Sequence, residues 1–422
     1  MKRTLTTFVL LLLFVAGNAQ SLPPKKLKVF IDCSNTNCDE TFIRTEINLV
    51  DFLLDRVASD VHVLITSQDI GSGGDQYQLI FFGQNEYKSH RDTIRYSTDP
   101  NATDFEQREQ MLRYLQLGLA PLVAKTSYAN RLSISLKSEL DDEFSVEPTT
   151  DNWNYWVYRV GGNGSINADQ NYSSLNLNGR ISASRVIDKS KIRFRAFAGR
   201  RQDKYLIIDS LDNENYEIVN NEEYGFNSLT VLTINDRWSY GFEFDVSNNT
   251  FSNYEINSFI LPQIEYAFIP YKEVNTKYLA FRYGAGAQYN KYYDETIYGK
   301  TSEYLFGQEA SITLGFNQKW GTINAQVSWR NYFHDWSVNN LGISTGSEVR
   351  ITGGLSFYVY LFGGLVHDQV NIRNDQATET EVLTRRRQLA SSFEFNTFFG
   401  LNYRFGSKLN NFVNPRFEGP DW

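Results

Sequence analysis

A chain of 422 residues with a formal net charge of -8 has room for one large or two modest domains. The acidic balance, with no basic cluster, excludes nucleic acid as a partner, and no internal run reaches the ~18 apolar residues of a transmembrane helix. Tyrosine (26) and phenylalanine (30) are abundant against 2 methionines, a composition that suits alternating strands better than helical packing.

Lys2 and Arg3 precede the apolar stretch from Phe8 to Val15, which gives way to Ala16-Gly17-Asn18-Ala19-Gln20. A basic start, a short apolar segment and small residues at the cut predict a secretory signal peptide over residues 1–19, cleaved after Ala19 or Gln20. The apolar stretch is too short to anchor the chain in a membrane. Export puts the two cysteines, Cys33 and Cys38, in an oxidising compartment, where neighbouring thiols form a structural disulfide. Two alternatives stand beside that reading. A metal site would have only His62 and Asp32 or Asp39 to add, and a redox-active pair would depart from Cys-x-x-Cys spacing.

Residues 28–127 alternate strand-like and helix-like segments. Lys28 to Asp32 reads as a short strand, and Thr41 to Arg56 as a helix, because Phe42, Ile43, Ile47, Val50, Leu53 and Leu54 fall near a 3.6-residue stripe. Asp60 to Thr66 is a strand with little polar relief, hence buried. Gly71 to Gly74 lacks the Lys-Ser/Thr of a phosphate loop and reads as a hairpin turn into Tyr77–Gln84. A strand over Asp92–Tyr96 follows. Thr103-Asp-Phe-Glu106 is a capping box opening a helix whose apolar side carries Leu112, Leu115, Leu119 and Leu122. The order βαβββα predicts a small α/β domain.

From about residue 130 the helical period disappears. The last long strand shows why: Phe393, Phe395, Thr397, Phe399, Leu401, Tyr403 and Phe405 fall on one face, with Glu394, Asn396, Phe398, Gly400, Asn402 and Arg404 on the other. Twelve such segments are predicted, with ten or fourteen also compatible. Many exceed 14 residues, against about 5–6 in soluble proteins. Tight turns, such as Asn235-Asp236 and Gln318-Lys-Trp320, alternate partly with long charged loops such as Ile372 to Arg387. The fold class expected is mainly β: a transmembrane antiparallel β-barrel over 130–406, in contact with outer-membrane lipid, behind a small N-terminal α/β domain. An even strand count leaves that domain and a tail, 407–422, on the periplasmic side. The closing seam is expected between the last strand and the strand near Asn154.

The inward parity collects Arg159, Arg180, Arg193, Arg195, Arg282, Arg330, Arg350 and Arg404, together with Glu243, Asp245, Glu265, Glu309, Glu348 and Glu394. Such mixed charge gives no strong preference for either ion sign. It suits a lumen braced by charge pairs or a narrow polar channel, since twelve strands lie between filled and open barrels. A lipid hydrolase like the outer-membrane phospholipases would need a nucleophile, a base and an orienting group. The barrel's histidines are His334 and His367. His334 has inward parity, Ser337 and Asp335 beside it are too local for a triad, and the His-then-Ser-Asn-Gly signature is absent. No catalytic residue, metal or cofactor is assigned.

The segments Val29-Phe-Ile-Asp-Cys33, Cys38-Asp39, Phe42-Ile43-Arg44, Asp60-Val-His-Val-Leu-Ile-Thr66 and Gly71-x-Gly-Gly74 resemble those of a family of Gram-negative outer-membrane proteins. Its members pair a periplasmic α/β domain with a porin-like barrel. The resemblance implies the architecture and supplies no functional residues. In element order the domain is also similar to the α/β modules of TolB-type and curli-exporter-type envelope proteins, an order that is a weak guide to function. Two functions follow as expectations. The first is an anchor presenting a periplasmic interaction domain to protein partners in an envelope complex. The second is a porin-like channel gated or assisted by that domain. Mixed lumen charge favours the anchor.

Overall fold

The computed structural model describes residues 25–403 except 34–35, 37, 71–73, 100, 134–150, 209–213, 353 and 376–386, and also 405–406. The signal peptide, the centre of the Gly71–Gly74 turn, Arg404 and the tail lie outside the described residues.

The N-terminal unit is a five-stranded sheet of order β2-β1-β3-β4-β5, built from β1 (Leu27–Asp32), β2 (Val50–Phe52), β3 (Val61–Asp69), β4 (Asp75–Gly83) and β5 (Arg91–Ser97). Strands β2, β1 and β3 run parallel; β4 adds antiparallel to β3, and β5 antiparallel to β4. One face carries Val29, Ile31, Val61, Val63, Ile65, Leu79 and Phe81 into a core with α1 (Glu40–Glu46) and α2 (Asp104–Val123). The α2 helix opens on the capping box: the Thr103 hydroxyl accepts from the Glu106 amide, and the Glu106 carboxylate accepts from the Thr103 amide. It approaches the sheet closely at Gly118, where a Cβ would sit 2.1 Å from the Phe81 ring. Cys33 and Cys38 are bridged, with Cα atoms 6.1 Å apart.

The helix expected over Thr41–Arg56 ends early. Its first half forms α1, capped by the Asp39 carboxylate accepting from the Phe42 amide at 2.8 Å. Its second half is β2, paired edge-on with β1 from Leu27↔Val50 to Val29↔Phe52. Val50 and Phe52 are buried by pairing at period 2, although the same residues also fit a helical stripe.

The second unit is a twelve-stranded antiparallel meander in which every strand pairs with its chain neighbour. Its strands are β6 (Trp156–Ala168), β7 (Tyr172–Ile187), β8 (Ser190–Ile208), β9 (Glu214–Thr233), β10 (Trp238–Asn249) and β11 (Tyr254–Ala267), then β12 (Lys277–Tyr292), β13 (Ser302–Gln318), β14 (Gly321–Tyr332), β15 (Asp335–Arg350), β16 (Leu355–Val366) and β17 (Phe393–Tyr403). One face is apolar and exposed, with Phe399 and Leu401 each 66% exposed and Val327 43%. Aromatic pairs on this face cluster toward the two ends, Trp238 with Tyr266 near the short turns and Tyr289 with Tyr304 near the long loops. The sheet curls so that β11 and β17 contribute Asn257 and Glu394 to one cavity.

The seam expected between β17 and the strand near Asn154 is not formed. Among the described residues β6 and β17 are the two edges of the sheet and share no register. Trp156, the first residue of β6, pairs only with Arg185 of β7, so the backbone edge of each terminal strand is left unpaired.

Candidate functional site

The face of the small sheet turned away from its helices carries Phe30, Asp32, His62, Gln78 and Phe82. It packs on the short-turn end of the large sheet, and this second cover explains why β3 is buried on both faces from Val61 to Thr66. Three successive connections of the large sheet meet it. Asn275, between β11 and β12, donates to the Gln78 side chain at 2.6 Å. The Lys319 ammonium, between β13 and β14, lies 3.9 Å from the centre of the Phe82 ring, and the Lys319 carbonyl accepts from Arg56. At the end of β15, the Arg350 guanidinium grips Asp32 with both terminal nitrogens, Nη2 reaching Oδ1 at 2.7 Å.

Asp32 is 1% exposed, and His62 is fully buried with its Nε2 2.9 Å from Asp32 Oδ2. Burial alone would raise the Asp32 pKa, but the hydrogen bonds from Arg350 and His62 outweigh it and hold the carboxyl well below the ordinary carboxylate range. Burial lowers the His62 pKa, and the Asp32 carboxylate only partly opposes that. The ring is therefore neutral, with Nε2–H donating to Asp32. Of the metal ligands considered from sequence, His62 and Asp32 are committed to each other, and Asp39 caps α1.

The β3–β4 hairpin continues beyond this contact onto the polar face of the large sheet. Ser67 and Gln68 share a cavity of about 420 Å³ with Tyr278, Asn317, Asn324 and Gln326.

Pair by pair, the antiparallel register puts thirteen of the fourteen charged residues singled out from sequence on one face, the fourteenth being Arg404. They do not converge on one point. Arg180 and Arg195 line a cavity near the β6 edge. Glu265 accepts from the hydroxyls of Tyr271 and Tyr278, at 2.7 and 3.2 Å. Glu309 and Arg330 form an ion pair at 2.9 Å and share a cavity of about 410 Å³ with Glu394 near the long loops. Arg350 leaves this set for Asp32.

The segment after β16 crosses that far end. Asn371 donates to Ser252 O at 2.9 Å, its carbonyl accepts from Asn253 at 3.0 Å, and Arg373 pairs with Asp294 at 3.2 Å. His334 lies in the turn between β14 and β15, and His367 follows β16, its amide bonded to Asn339 O.

Sequence reasoning missed the whole docking contact, including Arg56, Gln78, Asn275 and Lys319. One signal was present: a strand as unrelieved as Asp60–Thr66 demands cover on both faces, and the two helices cover only one.

No family model matches the sequence, and no curated protein does. Among solved structures, the NanC porin in a rhombohedral crystal form is similar over 59% of this chain and 99% of the porin, at 9% identity and a TM-score of 0.26.

Proposed function

We propose that the chain is an outer-membrane barrel for the passage of small polar solutes, whose periplasmic mouth is covered by its own α/β domain. The observation that carries this reading is the docking of the small sheet across the short-turn end, with the β3–β4 hairpin entering the polar face. An exposed apolar band between aromatic pairs suits hydrocarbon. Unpaired backbone edges are costly there, which favours closure of β6 on β17 in the bilayer. Short turns beside the α/β domain favour the periplasmic side for it, in keeping with its disulfide.

Asp32 and Arg350 form the latch. Arg350→Ala removes the cationic partner of the buried Asp32 carboxylate, a change of the kind that costs about 3–5 kcal/mol. In planar bilayers the full chain should conduct weakly, and Arg350→Ala or Asn275→Ala should raise its mean conductance severalfold. Variants that conducted no better than the parent would refute the latch, and absence of conductance in parent and variants alike would refute passage. A closed barrel that retained envelope proteins through residues 28–127 would then favour the anchoring role.

A further inference from the structure

The cavity beneath the β3–β4 hairpin differs in kind from the rest of the polar face. Elsewhere that face is crowded with arginines and carboxylates. Here no Asp, Glu, Lys, Arg or His lines the space. The lining includes the hydroxyl of Ser67, the amides of Gln68, Asn317, Asn324 and Gln326, and the Tyr278 ring, with further hydroxyl-bearing and apolar residues between them. Among the described residues, the side chains of Gln68, Asn324 and Gln326 hydrogen-bond no other protein group, and Asn317 Oδ1 is buried without a partner. Tyr278 is held by its hydroxyl, which donates to Glu265 at 3.2 Å.

We infer that this cavity binds a small neutral polyhydroxylated solute, of the size and chemistry of a disaccharide. Its volume of about 420 Å³ falls within the range of small-molecule sites, about 300–1,000 Å³. The amides of Gln68, Asn324 and Gln326 offer both donors and an acceptor, as a sugar hydroxyl requires, Asn317, whose Nδ2 donates to Asn275 O, offers its Oδ1, and the tyrosine ring offers an apolar platform for a pyranose face. A charged solute would find no counter-ion within the cavity and would surrender its hydration without return. Because Ser67 and Gln68 come from the α/β unit and the other groups named from β12–β14, the site is complete only when the two units are docked. This inference rests on the passage proposed above and names its solute class.

Calorimetric titration of the detergent-solubilised full chain with maltose, carried into the millimolar range, tests it, alongside matched titrations with a uronic acid and an amino sugar. Maltose should bind saturably at one site, and the charged sugars at least tenfold more weakly. Loss of two amides should weaken binding by about fivefold or more in Asn324→Ala/Gln326→Ala, at about 0.5–1.5 kcal/mol per hydrogen bond. Gln68→Ala, on the other unit, should weaken it severalfold. Absence of saturable maltose binding, or equal affinity in the double variant, overturns the inference. The passage reading fails separately, on conductance: maltose binding by a chain that never conducts would leave the site standing and remove the channel.

Discussion

Asp32 and His62 titrate in separate windows, and the difference makes the latch testable. The folded-state pKa of His62 lies below its ordinary value of 6.5, so as pH falls the unfolded chain takes up the proton first. Its stabilising contribution is complete above pH 6.5 and is lost as pH falls below that value. Asp32 is depressed from an ordinary value of 3.8, so its contribution is complete above that value and fades as pH falls toward the much lower folded one. Acid between pH 6.5 and about 5 therefore reports on His62, with a slope of at most about 1.4 kcal/mol per pH unit. Hydrogen-exchange protection of the β1 and β3 amides in the full chain should decline over that window, and His62→Gln, which keeps a donor to Asp32, should flatten the decline. An undiminished slope in that variant would exclude the imidazole as its origin.

Among the elements, α2 and α1 show where local sequence decides and where it does not. The capping box of α2 was legible because Thr103 and Glu106 satisfy each other within one turn. Thr103→Ala should cost about 1 kcal/mol, seen as faster exchange in the first turn of α2; an unchanged rate there would argue that the cap is dispensable. The stretch after Glu46 was illegible for the opposite reason. Val50 and Phe52 fit a helical stripe as well as a strand, and only the β1 edge, more than twenty residues away in sequence, selects the strand. The long strands were legible because period-2 alternation survives along most of their length. The short-turn contacts were not, because Asn275 and Lys319 sit in connections whose sequence carries no mark of a partner.

For the whole molecule, the two faces of the large sheet predict opposite responses to the same substitution. Val327 and Ser328 are neighbours on β14, on the apolar and polar faces respectively. In lipid vesicles Val327→Arg should reduce folding stability by about 2–4 kcal/mol, whereas Ser328→Arg should change it far less. Equal effects would remove the case for a lipid-facing surface. The strand count and faces of this unit were readable in advance; its open edges and its union with the α/β unit were not, since both depend on residues far apart in the chain. That separation has a consequence for assembly. Asp32 is on the first strand and Arg350 on the fifteenth, 318 residues later. A nascent chain, emerging N-terminus first, can complete the small domain long before its arginine partner exists. The latch is therefore a late event that records the arrival of β15, and a chain stopped short of that strand would carry a finished domain and the Asn275 and Lys319 contacts but not the arginine that grips Asp32.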